Sequence, residues 1–281
     1  MPDSLHEKVI TTDSLPARSF SYTSPSLLIT NHWHNSLEIL YMASGKMDAG
    51  INNKTYTLRR GDLILINSGD IHFTHCRELS QIYVLQIPYP ILKTHIPNYD
   101  YVRFQTSDGS VLFTGSPHAH EISGMLIQMY RTATDQQPGY SLLFTSQLYQ
   151  LLYLLFQNYR TDISTSTKQK SDRNLTRLEQ IMTYVKGHYT QPISLEDGAR
   201  ILSLNPEYFC RYFKKYMGMT FLEYINNVRL SHIYEDLLNT NYSISELMDR
   251  NGFTNYKVFA KMFRSTYGCS PSDLRRQNKQ I

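Results

Sequence analysis

The sequence has little of the chemistry that cross-links small proteins or anchors them in membranes. It contains three cysteines, Cys76, Cys210 and Cys269, and no two of them form a C-x-x-C pair. We therefore expect neither a disulfide framework nor a structural zinc site. No run approaches the ~20 apolar residues of a membrane span, and the first residues, M-P-D-S-L-H-E-K, lack an apolar signal core. These absences predict a cytoplasmic protein with no membrane contact.

Length and charge divide the chain into two parts. With 281 residues, 41% of them hydrophobic, the chain is long enough for two domains that each have a core. From Leu175 onward there are 14 Lys or Arg and 10 Asp or Glu, whereas the preceding 174 residues hold 14 of each. The whole net charge of +4 is thus on the C-terminal part, which favours contact with phosphates there.

The C-terminal part contains one helix-turn-helix pattern twice. The first copy runs from Ser194 to Gly218 and the second from Ser243 to Gly268. The glycines are 50 residues apart and the serines 49, so one residue has been added in the second turn, where repeats tolerate insertion. Between the copies, apolar residues three to five apart predict one amphipathic helix over residues 220 to 239. Such a helix could hold two recognition units one duplex turn, or ~34 Å, apart.

The second helix of each copy is predicted to bury one face and expose the other. Asn205 and Pro206 are typical of an N-cap and a first helical residue. The predicted inward residues are Phe209, Phe213 and Met217 in the first copy, and Phe259, Met262 and Phe263 in the second. The predicted outward residues are Glu207, Cys210, Arg211, Lys214 and Lys215, and Tyr256, Lys257, Ala260, Lys261 and Arg264. A short helix, a turn and a second helix with a cationic face suit a DNA major groove; a plain helical bundle is the alternative.

This segment resembles the DNA-binding domain of the AraC-type (arabinose-regulator) transcription factors. The resemblance rests on I-S-E-L from Ile244, F-x-K-x-F-R from Phe259, G-C-S-P-S-D-L-R from Gly268, and N-P-E-Y-F-C-R-Y-F-K-K in the first copy. It implies base-edge contacts from Glu207, Cys210, Arg211, Tyr256, Lys257, Ala260 and Lys261. Lys214, Lys215 and Arg264 would instead hold phosphates. Glu207 either accepts a hydrogen bond from a cytosine or serves the helix N-terminus.

Two positions depart from the family pattern. Gly198 stands where the family usually has a large apolar residue, at a cost to helix stability of about 1 kcal/mol. Met248 stands where a small alanine normally lets two helices cross closely. Both departures put the packing of those helices in question.

The N-terminal part is predicted to be an antiparallel barrel or jelly roll, which makes the fold class α+β. After an arm with little regular structure up to about Leu27, short strands such as L-E-I-L-Y-M and I-Y-V-L-Q-I alternate with turn signals. Residues 32 to 45 resemble the first cupin motif, with H-x-H, a glutamate and a glycine at the family's spacing. The second cupin motif keeps Gly61, Gly69 and His72 but has Asn67 for proline and Cys76 for asparagine.

Four polar residues are the candidate effector site in the barrel. His32, His34 and Glu38 share strand parity, so on one extended strand their side chains leave the same face, and His72 comes from a neighbouring strand. Three imidazoles and a carboxylate are a ligand set for iron, manganese, nickel or zinc. The alternatives are a metal-free pocket for a polar small molecule, as in the family's sugar sensors, and an internal polar network. The metal-free pocket requires no cofactor, whereas the ligand set would allow a divalent metal in the barrel.

Helical patterns follow the barrel. Two apolar stripes lie within residues 119 to 160, and the second is apolar on more than one face. The family resemblance implies a homodimer through this region; packing within one monomer is the alternative. The polar stretch 161–174 is predicted to be an interdomain linker, which gives a sensing and dimerisation domain at 1–160 and a DNA-binding domain at 175–281.

These features together predict a transcription regulator and not an enzyme. The barrel would sense a small molecule, and the double helix-turn-helix would bind double-stranded operator DNA. The family resemblance favours an activator and a carbohydrate effector. Two other hypotheses stay open: a metal-dependent cupin enzyme or metal sensor with a DNA-binding tail, and an architectural DNA binder whose barrel only dimerises.

Overall fold

The computed structural model describes residues 14–278, and within them a two-sheet barrel precedes a set of helices. The strands are β1 (Arg18–Ser24), β2 (Leu27–His32), β3 (Leu37–Ser44), β4 (Lys46–Ile51), β5 (Lys54–Arg59), β6 (Leu63–Ile66), β7 (His72–Cys76), β8 (Ser80–Ile87), β9 (Val102–Phe104) and β10 (Arg160–Asp162). The helices are α1 (Tyr89–His95), α2 (Ala119–Asp135), α3 (Tyr140–Tyr159), α4 (Thr165–His188), α5 (Leu195–Ile201), α6 (Pro206–Met217), α7 (Phe221–Asn239), α8 (Ile244–Arg250), α9 (Tyr256–Tyr267) and α10 (Pro271–Asn278). The predicted α+β class is confirmed.

The barrel consists of two four-stranded antiparallel sheets with a shared apolar interior. Their strand orders are β1-β8-β3-β6 and β2-β7-β4-β5. Strand β3 shows why both of its faces are apolar: Leu40 and Met42 point between the sheets, while Leu37 and Ile39 join the core formed with α2 and α3. The alternation of period two therefore divides one strand between two cores.

The prediction that the N-terminal arm has little regular structure is wrong for residues 18–24. Residues 18–24 form β1, which pairs with β8 over its full length. The sequence R-S-F-S-Y-T-S alternates, so Phe20 and Tyr22 pack against the barrel interior while polar residues lie between them. The first 13 residues of the predicted arm lie outside the described part.

The predicted linker at 161–174 has regular structure. Its first residues complete β10, and α4 begins at Thr165 behind Ser164, whose side chain accepts a hydrogen bond from the backbone of Thr167. The first ten residues of α4 are mostly exposed, and Lys168 forms an ion pair with Asp172 one turn later. A solvent-exposed helix also has a polar composition. The polar composition of residues 161–174 therefore does not distinguish a helix from an irregular linker. The domain boundaries themselves stay a prediction.

Both helix-turn-helix copies are built by the same local signals. Ser194 and Ser243 form capping boxes at the N-termini of α5 and α8. The predicted N-cap at Asn205 is confirmed, and Asn255 caps α9 in the same way. Helix α7 spans nearly the predicted residues 220 to 239 and connects the copies. The predicted inward residues Phe209, Phe213, Met217, Phe259 and Phe263 are fully buried, and Met262 is half-buried.

One barrel sheet packs against both copies. Leu28 of β2 lies in the core formed by α7, α8 and α9, whereas Trp33 and Ile71 lie in the core formed by α4 to α7. At the edge of the barrel, the ring of His75 donates to the carbonyl of Thr266, and Arg77 donates to the carbonyl of Ser265 at 3.3 Å. The two halves of the chain therefore form a continuous interface.

Candidate functional site

The outer faces of α6 and α9 form the candidate nucleic-acid interface. Nine of the ten predicted contact residues are exposed, and Ala260 is half-buried. In α6, Tyr208 is also exposed beside the basic residues, at 45% of its surface. Helix α6 ends at Gly218 and α9 at Gly268, both with left-handed backbone, so each helix stops within a turn of its last basic residue. The residues predicted to read base edges and the residues predicted to hold phosphates thus share one face of each helix.

Gly198 has a packing role that the sequence did not reveal. A Cβ atom at this position would lie 2.6 Å from the Phe209 ring and 2.9 Å from the Phe221 ring. These rings therefore occupy the space that a large residue would take. Met248 is buried among α7, α8 and α9, so the two family departures are both accommodated in cores.

The predicted barrel residues do come together. One ring nitrogen from each of His32, His34 and His72 lies within 4.8 Å of the others. Glu38 Oε2 lies 3.0 Å from His34 Nε2 and 3.2 Å from His72 Nε2. Glu38, His34 and His72 are buried, and His32 is half-buried. The four side chains form a compact cluster, which we call the His-Glu cluster.

The reason predicted for this convergence is wrong. His34 lies after the end of β2, and Glu38 lies on β3 in the opposite sheet, so the residues do not share a strand. The chain crosses from one sheet to the other between them. His72 is paired directly opposite His32 at the end of β7.

Backbone carbonyls fix the tautomers of the three imidazoles. The Nδ1 atoms of His32, His34 and His72 lie 2.9, 3.0 and 2.9 Å from the carbonyl oxygens of Thr30, Ser36 and Asp70. Because a carbonyl oxygen only accepts, each Nδ1 carries a proton and donates it. The Nε2 atoms face the cluster, where His34 Nε2 lies within hydrogen-bond distance of Glu38 Oε2, at 3.0 Å.

Burial and the neighbouring groups set the charges of the cluster. Burial raises the pKa of Glu38, but His34 and His72 outweigh that effect and hold the pKa well below its usual range. Burial, together with the nearby His32, lowers the pKa of His72 to about 4. At neutral pH the cluster therefore contains a charged carboxylate beside a neutral His72 imidazole.

A cavity of about 350 Å³ lies beside the cluster, between the barrel and the helices α4, α7 and α9. His32, Glu38 and His72 line it, whereas His34 does not. From the helices it is lined by Lys186 of α4, by Val228, Ser231, His232, Tyr234 and Glu235 of α7, and by Tyr267 of α9. We call it the interdomain cavity.

Two polar barrel residues of this cavity were missed by the sequence analysis. Gln86 Nε2 donates to Glu38 Oε1 at 3.3 Å, and Arg18 Nη1 donates to Gln86 Oε1 at 3.3 Å. Gln86 could have been found from the sequence, because a glutamine at an inward position of the apolar strand I-Y-V-L-Q-I indicates a polar contact inside the barrel. Nothing near Arg18 in the sequence could indicate its contact with Gln86, which lies 68 residues away.

All three cysteines are free; Cys76 is buried, and burial raises its pKa to about 11. Among residues 14–278 no helix is both long and apolar enough to cross a bilayer.

Two family models match the chain. Residues 20–152 match an AraC-like ligand binding domain, and residues 199–277 match a helix-turn-helix domain. The first matched segment contains the His-Glu cluster, and the second contains α6 and α9.

Curated relatives and one solved structure are similar over nearly the whole chain. The uncharacterized HTH-type transcriptional regulator YdeC of Bacillus subtilis is 24% identical over 88% of this chain and 86% of its own length. The HTH-type transcriptional activator RhaS of Enterobacter sp. is 23% identical over 90% and 89%. ToxT from Vibrio cholerae O395 superposes with a TM-score of 0.51 and 16% identity, covering 95% of this chain and 99% of that one, which supports the fold.

Proposed function

Because the chain belongs to the AraC family of DNA-binding transcriptional regulators, with an N-terminal ligand-binding domain, we propose that its effector binds in the interdomain cavity. The effector would control how the chain binds double-stranded operator DNA. The observation that carries this proposal is the joint lining of the cavity by the barrel and by α4, α7 and α9.

Such a cavity provides a direct route for regulation. A molecule that contacts both the His-Glu cluster and α7 binds more tightly to one arrangement of the two domains than to another. It shifts the population toward that arrangement by its difference in affinity. Since α7 connects the two helix-turn-helix copies, a shift of α7 changes the spacing or tilt of α6 and α9.

A carbohydrate is the effector class that we propose. Phe20, Tyr22, Tyr234 and Tyr267 offer aromatic surface in the cavity, while Arg18, Gln86 and Glu235 offer hydrogen-bonding groups. A mostly apolar cavity with a few polar groups is typical of small-molecule sites, and its volume suits a ligand of sugar size. The His-Glu cluster would contribute hydrogen bonds at one end.

We propose a homodimer through residues 119–160. The outer side of α3 exposes Leu142 at 78% and Tyr153 at 68% of their surfaces, and Leu143 and Tyr149 are exposed too. An apolar stripe on a helix that already packs its other side suits a second copy. A charged substitution, Leu142→Glu with Tyr153→Glu, should shift the molecular mass in solution from dimer to monomer, and an unchanged mass would reject this interface.

We further propose that the protein activates transcription, acts in the cytoplasm and is not an enzyme. Support for activation comes from relatives such as RhaS, whose name describes an activator. A transcription reporter that increases with the effector would agree with this sign, and a decrease would reverse it.

The experiment for the effector compares affinity for the gene's own upstream DNA across a panel of mono- and oligosaccharides. The wild type should respond to at least one sugar. The Ser231→Trp variant, in which a large side chain on α7 fills the cavity, should bind DNA but not respond to the sugar. The matched control is Ser166→Trp, at the exposed start of α4. An equal sugar response in the Ser231 variant would place the effector elsewhere.

A further inference from the structure

Another cavity, of about 360 Å³, lies between the barrel and the helices α4 and α6. We call it the second cavity. Its barrel side comes from the turn between β4 and β5, the loop before β7, and β9. Among the described residues, none lines both cavities. A Cβ atom on Gly218, which ends α6, would lie 3.4 Å from the carbonyl oxygen of Asn52, so the barrel turn is close to the end of this helix. The second cavity therefore adjoins the first helix-turn-helix copy.

On the barrel side of the second cavity, the polar groups bind one another. Arg103 Nη2 donates to the two carboxylate oxygens of Asp70, at 2.7 and 2.5 Å. Asn52 Nδ2 donates to Asp70 Oδ1 at 3.0 Å, and the backbone N–H of Asn67 donates to Asp70 Oδ2 at 3.2 Å. Asp70 is the only acidic lining residue within residues 14–278. Because Arg103 balances its charge, the barrel side adds no net negative charge.

The helix side supplies two ammonium groups, those of Lys170 on α4 and Lys215 on α6. In the described part of the chain, neither lysine forms an ion pair with a carboxylate, whereas Lys168 is paired with Asp172. Lys215 Nζ lies 5.5 Å from the centroid of the Tyr216 ring, and Tyr216 lines the cavity too. Three cationic lining residues and one acidic residue give the lining a net charge of +2. The second cavity therefore favours an anion.

We propose that the second cavity binds a small molecule with a phosphate monoester, held by Lys170 and Lys215. A phosphate monoester carries a charge of about −1.5 to −2 at neutral pH and can accept hydrogen bonds from both ammonium groups at once. Lysine is a common phosphate ligand in proteins. The volume suits a sugar phosphate, and Ile71 and Leu175 offer apolar surface to the rest of the molecule. This site is separate from the interdomain cavity and goes beyond the proposed function.

A ligand in the second cavity should oppose DNA binding by the first copy. Lys215 is exposed at the end of α6 and is one of the two lysines of this helix predicted to hold DNA phosphates. An ammonium group that binds the ligand cannot also neutralise a DNA phosphate. The ligand should therefore weaken DNA binding and reduce the slope of log affinity against log salt by about 0.9.

The first test is calorimetry of the full-length protein with glucose 6-phosphate and glycerol 3-phosphate at constant ionic strength. Glucose and glycerol are the uncharged counterparts, and succinate is a dianion without phosphate. We expect one ester per chain for at least one of the two, and weaker binding of its uncharged counterpart and of succinate. Failure of both esters to bind overturns the site, and equal binding of succinate overturns the phosphate class.

Substitutions then locate the site with the ester that binds. Ser171→Trp, which fills the second cavity from an exposed position of α4 and keeps both lysines, should abolish binding, whereas Ser166→Trp should not. Lys170→Ala and Lys215→Ala should each weaken binding by about 10- to 100-fold, because each removes a charged partner of the phosphate. Lys168→Ala, outside the cavity lining, is the matched control.

Circular dichroism checks the fold of each variant. Full binding by the folded Ser171 variant, or equal weakening by Lys168→Ala, contradicts the assignment.

DNA binding separates this site from the interdomain cavity. In wild type the ester should lower the salt slope, and in Lys215→Ala the slope should already be lower and not fall further. If Ser231→Trp removes the effect of the ester and Ser171→Trp does not, the second site is rejected and the proposed function stands. If the ester acts and Ser171→Trp removes its effect while no sugar of the panel acts, the second site stands and the carbohydrate proposal is rejected.

Discussion

The two helix-turn-helix copies have the same caps but fill their cores differently. Gly198 and Ala199 of α5 correspond to Leu247 and Met248 of α8, and all four are buried. In the first copy, the rings of Phe209 and Phe221 approach the glycine and take the volume that large side chains take in the second. A motif can therefore be kept while the residues that fill its core change, provided that the total volume is kept.

The copies also differ in their relation to the interdomain cavity. Tyr267 of α9 lines the cavity, and so do five residues of α7, whereas α5 and α6 contribute no lining residue among those described. The barrel edge also holds the C-terminal end of α9 through His75 and Arg77. An effector would thus act on the second copy directly and on the first through α7.

The largest expected effect comes from the core of the second copy. Leu247→Ala removes a fully buried side chain and leaves a cavity, so we expect a loss of about 2 to 5 kcal/mol in the free energy of unfolding. Urea unfolding of the full chain followed by circular dichroism measures this loss. A loss below about 1 kcal/mol would show that α8 is not packed as described.

The substitution at the corresponding position of the first copy adds a group to the core instead of removing one. Gly198→Ala improves helix propensity by about 1 kcal/mol, but its methyl group would meet the Phe209 ring. Overpacking costs about 1 to 3 kcal/mol, so we expect a net destabilisation in the same unfolding experiment. Gly187→Ala, in a helix position with open space around it, is the control that should not destabilise. Stabilisation by both substitutions would contradict the role assigned to Phe209.

Base recognition tests whether both copies read sequence. Arg211→Ala in α6 and Lys261→Ala in α9 should each reduce discrimination between operator and random DNA by about 1 to 3 kcal/mol. Fluorescence anisotropy with both DNA types gives the difference. Equal losses on specific and random DNA would reassign either residue to phosphate contact.

Phosphate contact should give a smaller and uniform effect. Lys214→Ala is expected to weaken binding to both DNA types alike and to reduce the slope of log affinity against log salt by about 0.9. The measurement is a salt titration of anisotropy. A change in discrimination with an unchanged slope would make Lys214 a base-reading residue.

The smallest expected effect concerns the docking of the second copy. Arg77 is half exposed and donates to Ser265, so Arg77→Ala should cost about 0.5 to 1 kcal/mol. Amide exchange should become faster at the C-terminal end of α9 and stay unchanged in α6. Arg60→Ala, in an exposed turn of the same barrel, is the control. Faster exchange in both copies would show that Arg77 does not act on the second copy alone.

Local signals in the sequence predicted much of the fold, and long-range contacts were beyond them. The N-cap at Asn205 and the inward positions of Phe209, Phe213 and Met217 in α6 depend on residues a few positions apart. The interdomain cavity instead depends on contacts such as Leu28 with the core of α7 to α9. The sequence predicted which residues form the His-Glu cluster but not how they come together. Parity along one strand cannot describe a chain that crosses from one sheet to the other.

An effector in the interdomain cavity should join the barrel to the second copy, and amide hydrogen exchange of the full-length protein can detect this link. The probe is whichever sugar of the panel changes DNA binding, at saturating concentration. We expect slower exchange around residues 228 to 235 and at the end of α9, with a smaller change in α6. Protection confined to the barrel, or equal protection of α6 and α9, would contradict it.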